Sequence, residues 1–280
     1  MSTVDRAGRK SRRGRRRLWA HLPLALVAAA TIFPFYVMIV LSLRNGQSLS
    51  LPDALQPFHV NFGAYADVLA HAQVLRWMLN TAGYAVISVV LVLVFASFAA
   101  YAFAKKRFFG RNAMFWTLLA TLMVPYHLTL IPQFILISKM DGLDTLWGLI
   151  VPTLANTQAL FLMRQFIMGI PDELIEAARI DGAGEIRLFW QIVLPQTKPI
   201  LATLGVFVFL WHWNDFLWPL VATRSPDHYV LTVGLNSLQA QDSSLTVTMA
   251  GAVLTFLPIL LVYVLLQRYF VRGVTMSGLK

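Results

Sequence analysis

WMLNTAGYAVISVVLVLVFASFAAYAFA, residues Trp77 to Ala104, is a run of 28 residues without a charged side chain. A helix rises about 1.5 Å per residue, so about 20 mostly apolar residues are enough to cross a hydrocarbon core about 30 Å thick. The apolar side chains in this run are continuous, whereas those of a membrane β-strand alternate with polar ones. The stretch therefore predicts a membrane-spanning α-helix.

Similar uncharged runs recur along the chain, and one further run, Pro199–Thr223, carries a single charge at Asp215. The predicted spans cover residues 18–43, 78–104, 112–138, 145–164, 198–222 and 244–268. Only 13% of the residues are charged, against about 25% in soluble domains. The sequence thus predicts an all-α integral membrane protein with about six transmembrane helices in one domain, residues 18–280. A basic tail, residues 1–17, precedes it and is expected to be disordered.

Lysine and arginine are distributed very unevenly among the predicted connections. Of the 23 in the chain, 19 fall in the N-terminal tail, in the loops after spans two and four, and after span six. Because basic residues are retained on the cytoplasmic side, both termini are expected in the cytoplasm. This bias and anchoring to anionic lipid also account for the net charge of +10 without nucleic acid. A cleaved signal peptide is the alternative for the N-terminus, but the apolar run continues through Pro34 to Leu43 and is too long.

Three connections are predicted on the opposite side. The longest, Arg44–Arg76, is expected to contain a short helix near Asn61–Ala70. The segment Lys139–Asp144 predicts a tight turn around Gly142, and Arg224–Asp242 is a polar loop.

The loop between spans four and five, about residues 169–196, contains GIPDELIEAARIDGAGEIRLFWQIVLP from residue 169. Pro171 suits the first position of a helix, and acidic residues follow it where the helix dipole favours them. Gly182 suits the left-handed residue that ends a helix. A second short helix is predicted over about Ala183–Val193, with Pro195 breaking it before span five.

Each of these short helices carries an apolar stripe. Leu174, Ile175 and Ala178 form the first, and Phe189 and Ile192 form the second. An apolar stripe must be buried against something. The residues alone leave two alternatives open: the ends of the protein's own spans, or the groove of a partner protein.

The loop resembles the EAA loop of permease subunits in binding-protein-dependent ABC importers. The residues that carry the resemblance are Glu176, Ala177, Ala178, Asp181, Gly182, Ala183, Ile192, Leu194 and Pro195, followed by Pro199. Asn80, the Trp213–Asp215 segment and the ending Gln267–Gly273 extend it over most of residues 20–280 and favour the smaller, six-span permease of maltose-type carbohydrate importers. The final residues, Ser277–Lys280, depart from the Gly-Ala-Val-Lys-Gly-like ending of relatives, which leaves the role of the tail open.

The resemblance implies the architecture of a type I (MetI-like) ABC importer permease in a bacterial or archaeal inner membrane. The loop would be a coupling helix seated in a cleft of an ATPase subunit, with Glu176 making polar contacts and Gly182 permitting the turn. A second homologous permease, two ATPase subunits and an extracytoplasmic solute-binding protein would complete the importer. ATP and Mg²⁺ would be bound by the ATPase subunits, and the solute would be moved by alternating access.

Catalytic motifs are absent from the sequence, which contains no phosphate-binding loop of the Gly-x-x-x-x-Gly-Lys-Ser/Thr type. No pair of carboxylates lies within a span to serve as acid and base. The histidines show no metal-ligand spacing; they are His21, His59, His71, His127, His212 and His228. We therefore predict no cofactor or metal in this chain, and a transporter subunit rather than an enzyme.

Polar groups within the spans are candidates for the solute pathway, because they are costly at membrane depth. The candidates are Trp211, Asn214, Asp215, Trp218, Asn156 and Gln158. An interfacial aromatic belt or hydrogen bonds between spans would explain the same residues, and Gln133 is open in the same way. Asn80 is expected to be structural. A self-sufficient secondary transporter would need carboxylates in the spans, and only Asp215 is available. Sugars, sugar oligomers, and polyol or glycerol phosphates all remain possible solutes.

Overall fold

A computed structural model of the chain describes residues 5–44, 60–70, 72–239 and 244–277. Within these ranges the regular structure is helical and contains no strand, which confirms the all-α prediction. The α-helices are α1 Asp5–Ser42, α2 Gly63–Ala70, α3 Ala72–Lys105, α4 Arg111–Thr121, α5 Tyr126–Lys139, α6 Leu146–Ile150, α7 Thr157–Met168, α8 Asp172–Ile180, α9 Glu185–Arg187, α10 Leu194–Gln196, α11 Lys198–Trp213, α12 Leu217–Ala222, α13 Leu231–Gln239 and α14 Leu245–Ser277. Short 3₁₀ turns cover Val151–Thr153 and Pro226–His228, and a π-helical segment covers Leu188–Val193.

The chain divides into two compact units. The first comprises Met1–Ala70 with Gln241–Leu254, and the second comprises His71–Ala240 with Thr255–Lys280. In the first unit, the Ser42 hydroxyl lies 2.7 Å from the Tyr65 hydroxyl. The second unit contains the predicted coupling loop and the polar span residues.

The spans agree in number with the prediction. In the described part of the chain, three helices are long and apolar enough to cross a membrane: His21–Ser42, Gln73–Lys105 and Leu245–Leu265. Three further pairs of helices qualify when each bent pair is counted as one span, which gives up to six; they are α4 with α5, α6 with α7, and α9–α10 of the loop with α11. The prediction of about six spans is confirmed in this form.

The third predicted span, 112–138, is not one continuous helix. Helices α4 and α5 meet at an angle of 101°. Pro125 causes the break, because it has no N–H to donate and it restricts the residue before it to extended conformations. Pro125 itself has extended backbone angles and caps α5. The length of an uncharged run shows that a segment is long enough to span the membrane, but it does not show where the helix bends.

The fourth and fifth predicted spans are also divided. Helices α6 and α7 with the intervening 3₁₀ turn bend by 49°, and Asn156 caps α7 by accepting a hydrogen bond from the Ala159 N–H at 2.8 Å. The predicted span 198–222 consists of α11 and α12, separated at residues 214–216. At the first break Asn156 satisfies a backbone N–H of the next helix, and at the second the Asn214 amide donates to the Leu210 carbonyl at the end of α11 at 2.8 Å.

Helix α3 is the centre of the second unit. Its buried small residues Ala96 and Ala100 allow α7 and α11 to pack closely against it, where Met163 and Val208 are buried. A second cluster joins Tyr84 of α3 to residues of α5, α6, α12 and α13, including Ile137, Leu149, Trp218 and Val233. The two ends of α3 therefore lie in different parts of one continuous packed body.

The remaining expectations on connections have mixed outcomes. The predicted short helix near 61–70 is confirmed as α2, and residues 45–59, 240–243 and 278–280 lie outside the described part of the chain. The turn after α5 forms as predicted, but its left-handed residues are Asp141 (φ 55°) and Asp144 (φ 61°) rather than Gly142.

Helix α1 begins at Asp5, within the basic segment that we expected to be disordered. Arginine is a good helix former, so the segment can continue the helix of the first span.

Candidate functional site: the loop between α7 and α11

The first helix of the loop, α8, forms as the sequence predicts, with one shift. Pro171 is the capping residue, and the helix begins at Asp172 rather than at Pro171. The helix ends at Ile180, and Gly182 adopts the predicted left-handed conformation with φ 81°. The Ala183 N–H donates to the Ala178 carbonyl at 2.9 Å, which satisfies a free carbonyl at the helix end.

The second helix of the loop is longer than predicted, and Pro195 does not end it. The chain runs from α9 through the π-helical segment into α10, which ends at Gln196. Pro195 falls in the first turn of α10, where a missing N–H costs little. The break comes at Thr197, where α9–α10 and α11 meet at 76°. The expectation that Pro195 separates the loop from span five is therefore wrong by two residues.

The apolar stripes pack mainly against the protein's own spans. Ile175 (4% exposed) and Phe189 (3%) are buried in the α3–α7–α11 core, and Ala178 and Ile192 pack against it. Phe189 stacks on Phe98 of α3 with ring centroids 4.4 Å apart. Of the predicted stripe residues, Leu174 stays 44% exposed. The self-packing alternative is therefore correct for most of both stripes.

Two exposed apolar residues of the loop escaped the sequence prediction. Ile180 is 87% exposed and Ile186 is 79% exposed, on either side of the Gly182 turn. They fall outside the periodic stripes, so helical periodicity did not select them. Together with Leu174 they are the large apolar side chains that the loop exposes on α8 and α9, and exposed apolar side chains on a loop are typical of an interaction site.

A group of charged residues joins the loop to the end of α3. Lys106 contacts Glu185, which also accepts a hydrogen bond from the Tyr101 hydroxyl at 3.0 Å and lies 3.2 Å from Arg179. The hydrogen bond from Lys106 lowers the pKa of Glu185, against a smaller opposing effect of burial. Lys105 contacts Asp172 at 2.6 Å, and this hydrogen bond lowers the pKa of Asp172.

A cavity of about 640 Å³ opens beside these contacts. Glu176 of the EAA-like motif lines it, together with Arg107 from the connection between α3 and α4 and Arg111, the first residue of α4. The exposed side of α8 thus combines an acidic residue of the motif with basic residues from a separate loop. No sequence motif links these two segments, and only the fold brings them together.

Two of the candidate pathway residues, Asp215 and Trp218, make hydrogen bonds between helices. Asp215 accepts a hydrogen bond from the Tyr84 hydroxyl at 2.9 Å. Trp218 is completely buried, and its indole N–H donates to the Leu149 carbonyl at 3.2 Å. Both residues are tied into contacts between helices, as the structural alternative required. Trp218 has no exposed surface in this structure, and its place in the solute pathway stays a prediction.

The other candidates are more accessible. Trp211 is 60% exposed and meets Tyr126 edge to face, with centroids 6.4 Å apart. Asn214 and Gln158 are exposed, whereas Asn156 is half-buried and caps α7. Trp211 and Tyr126 lie where the α4–α5 break opens, so an aromatic surface borders that break.

A third polar cluster holds the other end of α3. The Trp77 indole N–H donates to the Pro226 carbonyl at 2.7 Å, and the Asn80 amide donates to the Asp227 and Tyr229 carbonyls at 2.9 Å each. These contacts support the structural role expected for Asn80. Asp144, from the connection between α5 and α6, accepts hydrogen bonds from the Arg224 and Ser225 backbone N–H groups (2.9 and 3.1 Å) and from the Ser225 hydroxyl at 2.7 Å.

The pKa of Asp144 follows from these contacts. Burial alone raises it, but the hydrogen bonds from Arg224 and Ser225, with a further one from His228, outweigh burial and hold the pKa well below its ordinary value. Asp144 therefore joins two connections as a carboxylate.

The fold and the loop together define a multi-pass, all-α membrane protein with a helical loop between two of its spans. Residues 92–276 match the family described as "Binding-protein-dependent transport system inner membrane component". The chain therefore belongs to this family and is a multi-pass inner membrane protein. This assignment confirms the predicted ABC importer permease and the prediction of a membrane component rather than an enzyme.

Individual relatives cover nearly the whole chain. The chain is 34% identical over 261 residues to the arabinooligosaccharides transport system permease protein AraQ of Halalkalibacterium halodurans, covering 91% of this chain and 94% of the relative. It is 36% identical over 270 residues to the sn-glycerol-3-phosphate transport system permease protein UgpE of Pectobacterium atrosepticum, covering 93% and 96%. Among solved structures, a chain of a bacterial ABC transporter involved in the import of the acidic polysaccharide alginate superposes with a TM-score of 0.79 at 26% identity, covering 90% and 95%.

Proposed function

We propose that this chain forms half of the pore of an ATP-driven importer for a sugar or related solute and is coupled to ATPase subunits through the loop at residues 169–196. The observation that carries the proposal is the geometry of the loop, in which α8 is capped by Gly182 and presents Leu174, Ile180 and Ile186 to the outside. Apolar residues exposed next to acidic ones suit a partner's groove. The EAA-like residues Glu176 to Ala178 lie on this same helix.

The partners follow from this role. A second homologous permease would complete the pore, and two ATPase subunits would hold the ATP and Mg²⁺ that the chain has no motif to bind. A solute-binding protein, which the family description implies, would deliver the solute from outside the membrane. The loop and both termini would then face the cytoplasm, in agreement with the positive-inside distribution. Solute would move by alternating access as the two permeases rock against each other.

The relatives favour a sugar as the solute. One sequence relative is named for arabinooligosaccharides, and the solved structure that superposes on this chain belongs to an importer of alginate. Trp211 offers an exposed aromatic face near the α4–α5 break, and such faces suit sugar rings. Asn214, Gln158 and Asn156 would supply hydrogen bonds, and Asp215 would position the Asn214 segment. A glycerol phosphate is the second candidate, because a relative of similar identity is named for sn-glycerol-3-phosphate.

Reconstitution of the complete importer tests the coupling role. Glu176→Lys and Gly182→Pro should leave the chain inserted in the membrane but abolish ATP-driven uptake. Glu176→Lys reverses a charge on α8, the helix proposed to dock on the ATPase (the docking helix), and Gly182→Pro removes the left-handed turn that ends it. Asp67→Lys, a charge reversal at an exposed carboxylate of α2, is the control and should leave uptake unchanged. Normal uptake by both loop variants would contradict the proposal. Calorimetry of the cognate solute-binding protein with sugars and with glycerol 3-phosphate identifies the solute.

A further inference from the structure

The coupling loop is fastened to the end of α3 at two separate points. One lies at the start of α8 and the other just beyond its end, so the docking helix is held on both sides. The ion pairs involved are Lys105–Asp172 and Lys106–Glu185, which we name the anchor pairs. Each joins residues that are at least 67 positions apart in the chain.

The first anchor pair is built around a buried lysine. The Lys105 side chain is only 7% exposed, and its ammonium donates to the Ile170 carbonyl and to the Asp172 carboxylate, both at 2.6 Å. A buried ammonium group is tolerated only when it is paired and hydrogen-bonded. Lys105 therefore fixes the segment that enters α8 in position.

The second anchor pair is a small network. Glu185 is held by Lys106, by the Tyr101 hydroxyl at 3.0 Å and by Arg179 of α8 at 3.2 Å. Lys106 also lies 5.1 Å from the centre of the Tyr101 ring, a cation–π distance. Because Glu185 is half exposed, no single contact is strong, but the contacts share one carboxylate and restrict it from three directions.

The loop also reaches α11 along the chain, through Thr197, where the helix axis turns by 76°. Thr197 is 1% exposed, and its N–H donates to the Val193 and Leu194 carbonyls at 3.2 and 3.0 Å. The anchor pairs add a second connection, which leads to α3. Helix α3 packs along α7 and α11 in the main core, so a displacement of α3 would move the core as a whole.

We propose that Lys105, Lys106 and Glu185 are positioning residues that make the coupling loop and α3 move as one body, so that movement of the ATPase reaches the pore through α3. The inference rests on the proposed docking of the loop to an ATPase. It adds the route of transmission, which no motif of the loop specifies. The second anchor pair is the better one to perturb, since Lys106 and Glu185 are both partly exposed and can be exchanged without burying a new charge.

The first experiment uses charge reversal in the reconstituted importer. Lys106→Glu and Glu185→Lys should each lower the solute transported per ATP hydrolysed by about fivefold or more, the scale of a coupling energy between two sites. The ATPase subunits should still copurify with both variants. The exchanged double variant, Lys106→Glu with Glu185→Lys, should recover most of the loss. Lys139→Glu, the same charge change at an exposed lysine that ends α5, should not change the ratio.

The second experiment tests whether the loop and α3 move together. The chain contains no cysteine, so Lys106→Cys with Glu185→Cys can be joined by a bifunctional thiol reagent at this position alone within the subunit. Transport should survive this cross-link, because the joined segments move as one body. Loss of transport on cross-linking, or an unchanged ratio in both charge reversals, would overturn the proposal. Failure of the unmodified chain to bind the ATPase subunits would instead overturn the proposed function.

Discussion

Gly182 and Gly184 form a matched pair for testing the geometry of the coupling loop. Gly182 has φ 81°, whereas Gly184 has φ −70°, and a Cβ atom added at either position would meet nothing within 4 Å. Gly182→Ala therefore introduces conformational strain without a clash, at a cost of about 1–2 kcal/mol for an L-residue in the left-handed region. Gly184→Ala lies in an ordinary conformation and carries no such strain; the entropy gain of replacing glycine is offset by the loss of a preferred capping residue of α9, so its net effect should be small.

These energies translate into opening of the helix cap. A cost of 1–2 kcal/mol is a factor of about 5–30 in an equilibrium constant. The Ala183 N–H, which donates to the Ala178 carbonyl at 2.9 Å, reports directly on the cap. In Gly182→Ala its hydrogen exchange should be faster by about 5–30-fold if local opening governs exchange, and in Gly184→Ala it should stay close to that of the unchanged protein.

Hydrogen exchange of the detergent-solubilised chain, followed by mass spectrometry of peptides from the loop, provides the measurement. Peptides of α14 serve as an internal reference that neither substitution should affect. Equal exchange rates in the two variants would refute the assignment of the left-handed turn to Gly182. So would an Ala183 amide that exchanges without protection in the unchanged protein.

Three further outcomes are expected from thermal unfolding of the same preparation. Gly234→Ala should destabilise the chain by about 1–3 kcal/mol through overpacking, because the new methyl group would overlap the buried Trp77 ring, whereas Gly83→Ala, with open space around its Cβ, should not destabilise it. Asn80→Ala should cost about 1–3 kcal/mol, since two backbone carbonyls lose their donor. The pKa of Asp144 is lowered by folding, so its stabilisation is present above its ordinary value near pH 4 and is lost as the pH falls below it. The fall in melting temperature below about pH 4 should thus be smaller in Asp144→Asn, and equal falls would contradict the assigned contacts.

The number of spans could be predicted from the sequence because the cost of burying charge in a membrane acts on every residue. The path of each span could not be predicted in the same way. Pro125 produces a break of 101°, yet Pro195, which the sequence equally marks as a breaker, lies in the first turn of a helix. A π-helical segment precedes Pro195, and its residues Leu188, Phe189 and Val193 are buried in the core, a tertiary contact that the local sequence does not indicate.

In the candidate site, too, local features could be predicted from the sequence and contacts between distant segments could not. The turn at Gly182 was predictable because the left-handed conformation imposes a direct chemical requirement on one residue. The contacts of Lys106 with Glu185 were not, because they join segments that are 79 positions apart. The burial of individual side chains could not be predicted either. Trp218 was a candidate pathway residue in the sequence, and only the fold shows that it is completely buried.

Helix α3 is held at its far end through Trp77 and Asn80, and at its near end through Lys105 and Lys106. Its 34 residues correspond to a rod about 51 Å long, well beyond the hydrocarbon thickness of a membrane. A rod of this length amplifies rotation: a tilt of about 5° at one end displaces the other by about 4 Å, taking the helix rise as constant. A small angular change at the end of α3 that holds the loop would therefore be enough to shift the connection at Pro226–Tyr229 by about 4 Å, without bending any helix.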